Sequence, residues 1–143
     1  MTVHREALPG FAAFPERLAA AVLGAEQRAV PEGEWTPEQV VRHLIAVDGI
    51  VYQRRFTDLA AGDGARWSWT EPGPWDGEPS LSLGALLDRF RAVRQATVAL
   101  ARSLDDEAWA RMGEHETFGP LDGDGVLREA IKHDEEHLAA LVG

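Results

Sequence analysis

Between Leu83 and Leu104 the chain places Leu83, Leu86, Leu87, Phe90, Val93, Thr97, Leu100 and Leu104 at steps of three and four residues. That spacing puts all eight on one face of an α-helix. A helix with a single apolar stripe must bury it against another element. Alternation of period two is sustained nowhere in the chain, so the partners are helices rather than strands.

Three further stretches supply them. The first runs from about Phe14 to Gln27, with Pro15 at the first helical position, where its missing N–H costs nothing. Its stripe is Phe11, Phe14, Leu18, Val22 and the neighbouring Leu23. The second opens on a capping box, with Thr36 as the cap, Pro37 in the first turn and Gln39 at the third position. Val40, Leu44, Val47 and Val51 follow at helical spacing, and the helix ends near Ala61, before Gly62-Asp63-Gly64. The fourth starts near Asp122 or Asp124 and carries Val126, Leu127, Ala130, Ile131, Leu138 and Leu141. The expected fold class is all-α, a four-helix bundle formed as one domain over residues 1–143.

The connection 62–80 is longer than most links in a compact domain. It holds Pro72, Pro74 and Pro79 but also Trp67, Trp69 and Trp75, and three tryptophans argue for a packed crossover between helices two and three. Most of them are expected to cover the core or serve a dimer contact, with a pocket wall as the alternative. Residues 111–125 read as a second loop, with several glycines and Pro120.

The chain has no cysteine, so any metal must be held by His, Asp or Glu. A formal net charge of −10, with Lys132 the single lysine, disfavours nucleic acid and anionic membranes as partners. No apolar run approaches the ~20 residues that span a bilayer. Met1 to Phe14 lacks the basic and apolar regions of a signal peptide, so the expected location is the cytoplasm.

Three of the five histidines invite a common reading. His133 and His137 stand four residues apart, so their rings project from one helix face. Two exposed histidines would satisfy that spacing equally well. Ala130, Leu138 and Leu141, however, make the face core-directed, and buried imidazoles need partners. His43 shares its side of helix two with Val40, Val47 and Ile50 and also points inward. A lone inward histidine is ordinarily a hydrogen-bonded core residue; three on two helices suit a shared divalent ion. Three imidazole ligands leave one coordination position open, as in catalytic rather than structural sites. His4 is given no role.

Other polar residues carry weaker readings. Asp48 lies about 140° around the helix from His43, which points to the surface, with a role behind the ligands as the alternative. Asp134 and Glu136 read as a solvated helix face, unless one of them orients a ligand imidazole. His115 reads as a solvated loop histidine or as part of a pocket mouth.

The segment Glu34-Trp35-Thr36-Pro37-Glu38-Gln39-Val40-Val41-Arg42-His43-Leu44 resembles the start of helix two in the DinB-like proteins. Phe118-Gly119-Pro120-Leu121, followed by Ile131-Lys132-His133-Asp134-Glu135-Glu136-His137-Leu138, resembles that family's closing motif, and Phe14-Pro15-Glu16-Arg17-Leu18 its first helix. The resemblance implies an up-down-down-up bundle with the long crossover between helices two and three. It also implies a metal triad at His43, His133 and His137, holding Zn or Ni. Relatives of the family include thiol S-transferases that use mycothiol or bacillithiol. The resulting expectation is a homodimeric metal-dependent enzyme that activates a low-molecular-weight thiol or water, of S-transferase or hydrolase type, acting on a small-molecule substrate. The alternative is a non-catalytic, metal-stabilised dimeric binding or stress-response protein.

Overall fold

The computed structural model describes residues 3–142. Its elements are α1 (Val3–Ala25), α2 (Pro37–Val47), a π-helical turn (Asp48–Tyr52), α3 (Gln53–Ala61), β1 (Arg66–Trp67), α4 (Leu83–Ser103), α5 (Asp106–Ala110), β2 (Gly113–His115), β3 (Gly119–Leu121) and α6 (Gly123–Val142). α2, the π turn and α3 follow one another without a break and form one rod, so four rods make the bundle.

Side-chain contacts fix their directions. Arg17 reaches Glu135 and Arg28 reaches the carbonyls of Leu141 and Val142, so α1 and α6 run the same way. Arg91 pairs with Glu16 while Arg94 reaches the carbonyl of Phe11, so α4 runs against α1. Asp48 meets Arg94 and Gln53 meets Thr97, so the second rod and α4 are parallel. The topology is the expected up-down-down-up. Two parallel neighbours cannot be joined by a tight turn. The chain must travel back along a rod of about 25 residues, roughly 37 Å, and residues 62–82 do so.

That crossover is strapped down. The buried guanidinium of Arg42 donates to the carbonyls of Trp75, Gly77 and Glu78 at 3.0, 2.8 and 3.0 Å. The Trp75 N–H returns a bond to the Arg42 carbonyl, and the Trp75 ring lies against both Arg42 and Arg89. Trp67 is buried, with its Nε1 donating to Asp58, whereas Trp69 is exposed. Two of the three tryptophans therefore cover the core.

Helix starts follow their local chemistry. Thr36 and Gln39 form the capping box, Ser82 Oγ accepts from the Ala85 N–H, and Asp122 rather than Asp124 accepts from the Gly125 N–H.

α1 begins at Val3, twelve residues before Pro15, with both Pro9 and Pro15 inside it. An interior proline costs about 3 kcal/mol. Leu8 and Phe11 extend the buried stripe of Phe14, Leu18 and Val22, and each recovers about 1.5–3 kcal/mol by burial. Leu23, counted with the stripe, is instead 58% exposed. Ile50, assigned to the His43 face, is 57% exposed, because the π turn alters the angular step there.

The residues read as loops hold a three-stranded sheet, β1 parallel to β2 and β2 antiparallel to β3. Strands of two or three residues are too short to show an alternation, which is why the sequence did not reveal them.

The core divides in two. One cluster gathers Phe14, Leu18, Val22, Leu44, Phe90 and Leu141, the other Phe11, Phe56, Leu59, Trp109, Val126 and Ala130. Residues close to both clusters form the polar layer described next.

Candidate metal centre

His43 projects from α2, and His133 and His137 from consecutive turns of α6. The two rods bring their rings together as expected, each with its Nε2 turned to the others. His133 Nε2 lies 3.3 Å from His43 Nε2 and 3.2 Å from His137 Nε2, and one ligand atom of each lies within 4.8 Å of the rest. Among the described residues this is the cluster of His, Asp and Glu that could hold a metal ion.

The donor set fits a divalent cation. His43 Nδ1 lies 2.7 Å from the Pro72 carbonyl, and a carbonyl only accepts, so Nδ1 carries the proton and Nε2 presents a bare lone pair. Burial, with a smaller contribution from the neighbouring imidazoles, pushes His133 down to about 3 and His137 down to about 4; burial also lowers His43. All three rings are neutral at pH 7. Bonds of about 2.0–2.1 Å to a tetrahedral Zn²⁺ would set neighbouring nitrogens about 3.3 Å apart. The two close contacts match that edge. Without a cation, three Nε2 atoms face one another with too few protons to satisfy them all.

The surroundings close one side of the triad and open the other. Trp35, from the turn before α2, lies 4.5 Å from the His43 ring and stacks on His137 at 6.3 Å with an interplanar angle of 12°. Tyr52 meets His133 edge-on, and burial pushes its phenol well above the usual range, so it stays protonated. On the far side a cavity of about 180 Å³ opens along His133, walled by Val47, Val51, Tyr52, Trp69 and Phe118.

Behind the triad lies a buried ionic cluster. Arg94, 1% exposed, donates from Nε and Nη2 to Asp48 and from Nη1 and Nη2 to Asp134, all at 2.9 Å, and from Nη1 to the Phe11 carbonyl at 3.0 Å. Its plane lies 3.9 Å from the Phe11 ring centroid, and Thr97 adds a 2.8 Å bond to Asp48. Burial pushes the Asp134 carboxyl up to about 6 against the pull of Arg94, while the two carboxylates hold Arg94 above its ordinary value.

This corrects two expectations. Asp48 and Asp134, read as surface residues, are 1% and 2% exposed. The second rod is flanked by both α4 and α6, so a wide arc is covered: His43 faces α6 while Asp48 faces α4. Asp134 likewise turns to Arg94, whereas Glu136 is exposed as expected. Arg94 itself was overlooked. It sits four residues after Phe90 and three before Thr97, and a charge at that stripe position was the available sign.

His115 is also not the solvated loop residue expected. It is 1% exposed, and its Nδ1 accepts the N–H groups of Thr117 and Phe118 at 3.0 and 3.2 Å. The β2–β3 hairpin folds it under the Phe118 ring, 4.5 Å away. The backbone at His4 belongs to α1, and its side chain lies outside the described ones.

No helix among the described residues is long and apolar enough to cross a membrane. A comparison with curated proteins finds no match. Among solved structures the chain is similar to YfiT from Bacillus subtilis, described as "a probable metal-dependent hydrolase with an unusual four-helix bundle topology". The two are 20% identical with a TM-score of 0.73, over 99% of this chain and 86% of that one. The likeness matches the rod order derived above from side-chain contacts. The model of the DinB superfamily matches residues 11–141, nearly the whole bundle and all three clustered histidines, and the chain belongs to that superfamily.

Proposed function

We propose that this protein is a metal-dependent enzyme in which His43, His133 and His137 hold one divalent ion, Zn²⁺ or Ni²⁺, through their Nε2 atoms. The observation that carries this reading is the convergence of three neutral imidazole nitrogens, 3.2–3.3 Å apart along two edges, at the wall of a cavity. An ion so held supplies Lewis-acid chemistry that lowers the pKa of a water or thiol at its open position.

The chain's own residues divide the remaining work. The Pro72 carbonyl fixes the His43 tautomer, so the crossover orients a ligand. Trp35 excludes water from one side, which directs substrate to the cavity side. Glu71 and Glu136 line that cavity and are carboxylates available to take up a proton. The reaction class that fits is hydrolysis or transfer to a low-molecular-weight thiol such as mycothiol or bacillithiol.

Elemental analysis of protein purified without an affinity tag tests the centre, with His43→Ala and His133→Ala beside it. About one equivalent in the wild type, lost in both variants, is expected. A wild type that carries no metal and takes none up on titration would overturn the reading.

A further inference from the structure

One cation on the cavity wall has no bonded counter-ion among the described residues. Arg55, on α3, is 6% exposed, and among the described residues no hydrogen bond or ion pair reaches its guanidinium. Among the described residues the other buried arginines are saturated: Arg42 by three carbonyls, Arg94 by two carboxylates and a carbonyl. Burying an unpaired charge is costly, so a guanidinium held this way is expected to meet an anion that comes and goes. The Trp67 ring, 5.8 Å away, supports its face and leaves the N–H edge for a ligand.

A second unsatisfied donor lies close by. His115 Nδ1 is an acceptor of two backbone bonds, so Nε2 carries the proton, and that buried Nε2 has no partner. Burial and then the Arg55 charge keep this ring neutral. Phe118, tilted against the His115 ring, is itself part of the cavity wall.

We propose that Arg55 is the anchor for a carboxylate on the substrate of this cavity, the rest of which lies on Val47, Val51, Trp69 and Phe118 with its reacting end at His133. A monoanion fits better than a phosphate dianion. The lining holds two cations, Arg55 and Lys132, against three carboxylates, Glu71, Glu129 and Glu136. Size points to a small molecule, because about 180 Å³ holds on the order of six waters. Spacing narrows it further. Glu129 and His133 line the same cavity as Arg55 and stand one turn of α6 apart, about 6 Å. The substrate class is therefore a compact, partly apolar monocarboxylic acid with its reactive atom a few bonds from the carboxylate. Its role as substrate rests on the metal-enzyme reading above; the anion site does not.

The test is calorimetric titration of the protein as purified with 3-phenylpropanoate, its amide 3-phenylpropanamide, and inorganic phosphate, repeated on Arg55→Met and Arg55→Lys. Wild type is expected to prefer the acid over the amide by at least about tenfold, the worth of one charge-assisted bond. Arg55→Met should abolish the preference. Arg55→Lys, which keeps the charge but not the fork, should reduce it several-fold and serves in place of Arg55→Met if that variant does not fold. No binding of the acid, equal binding of acid and amide, a preference that survives in both variants, or tighter binding of phosphate would each overturn the assignment. Metal content of the same samples separates the two readings. Arg55-dependent binding without metal would leave the anion site standing and sink the metal enzyme; metal at the triad with Arg55-independent binding would do the reverse.

Discussion

Replacing Arg94 by Met tests the polar layer most directly. The guanidinium makes four 2.9 Å contacts to two carboxylates that are themselves almost fully buried. Methionine fills much of the same volume, so the loss is electrostatic rather than a cavity. Breaking a buried pair by removing one partner costs about 3–5 kcal/mol, because a charge is stranded. Two carboxylates are stranded here, but one of them is already driven towards protonation by burial, which keeps the total near that range. For a chain of this size the loss corresponds to about 10–15 °C in Tm, a large part of a typical 5–15 kcal/mol stability. The cost also depends on pH with a definite sign. Burial already raises the Asp134 carboxyl, and without Arg94 nothing opposes that rise, so the folded variant binds more protons than the unfolded chain. Its deficit against wild type therefore shrinks as pH falls from 7 to about 4. Urea unfolding of both proteins at pH 7 and pH 5 measures this. A deficit below about 1 kcal/mol at pH 7, or one that grows on acidification, would refute the account of Arg94 as the counter-charge of this layer.

Two further predictions concern the triad and its strap. His133 and His137 have folded-state values near 3 and 4, below the ordinary 6.5, so the metal-free unfolded chain takes up protons first as pH falls. Metal-free protein should hold its stability above pH 6.5 and lose about 1 kcal/mol per pH unit per histidine on the way down to pH 4, read from urea midpoints; a flat profile would contradict the neutral triad. Arg42→Ala removes the donor to three crossover carbonyls, each bond worth about 1.5–3 kcal/mol when charge-assisted. Limited proteolysis should then cut within residues 62–82 while far-ultraviolet dichroism keeps its helical signal, and metal affinity should fall as Pro72 leaves His43.

The sequence by itself determined the rods and the three histidines that cluster between them. Stripes at three- and four-residue steps, the Thr36–Gln39 capping box and the His133–His137 spacing are local regularities, and a local regularity is readable without knowing what lies opposite. Proline placement was a weaker guide, since burial of Leu8 and Phe11 carried α1 straight through Pro9. Only the tertiary structure decided the environment of single polar residues. Whether Asp48 and Asp134 meet water or protein depends on how wide an arc of each helix its neighbours cover, and that is set by Arg94, 46 and 40 positions away, while His115 is enclosed by its own hairpin and by Trp69 from the crossover. The same holds for Arg94 and Arg55, both arginines on helix faces. One is saturated by carboxylates from two other rods and the other is left facing a cavity; the place of Arg94 within the α4 stripe hints at burial, but its partners, like the cavity beside Arg55, arise from long-range packing.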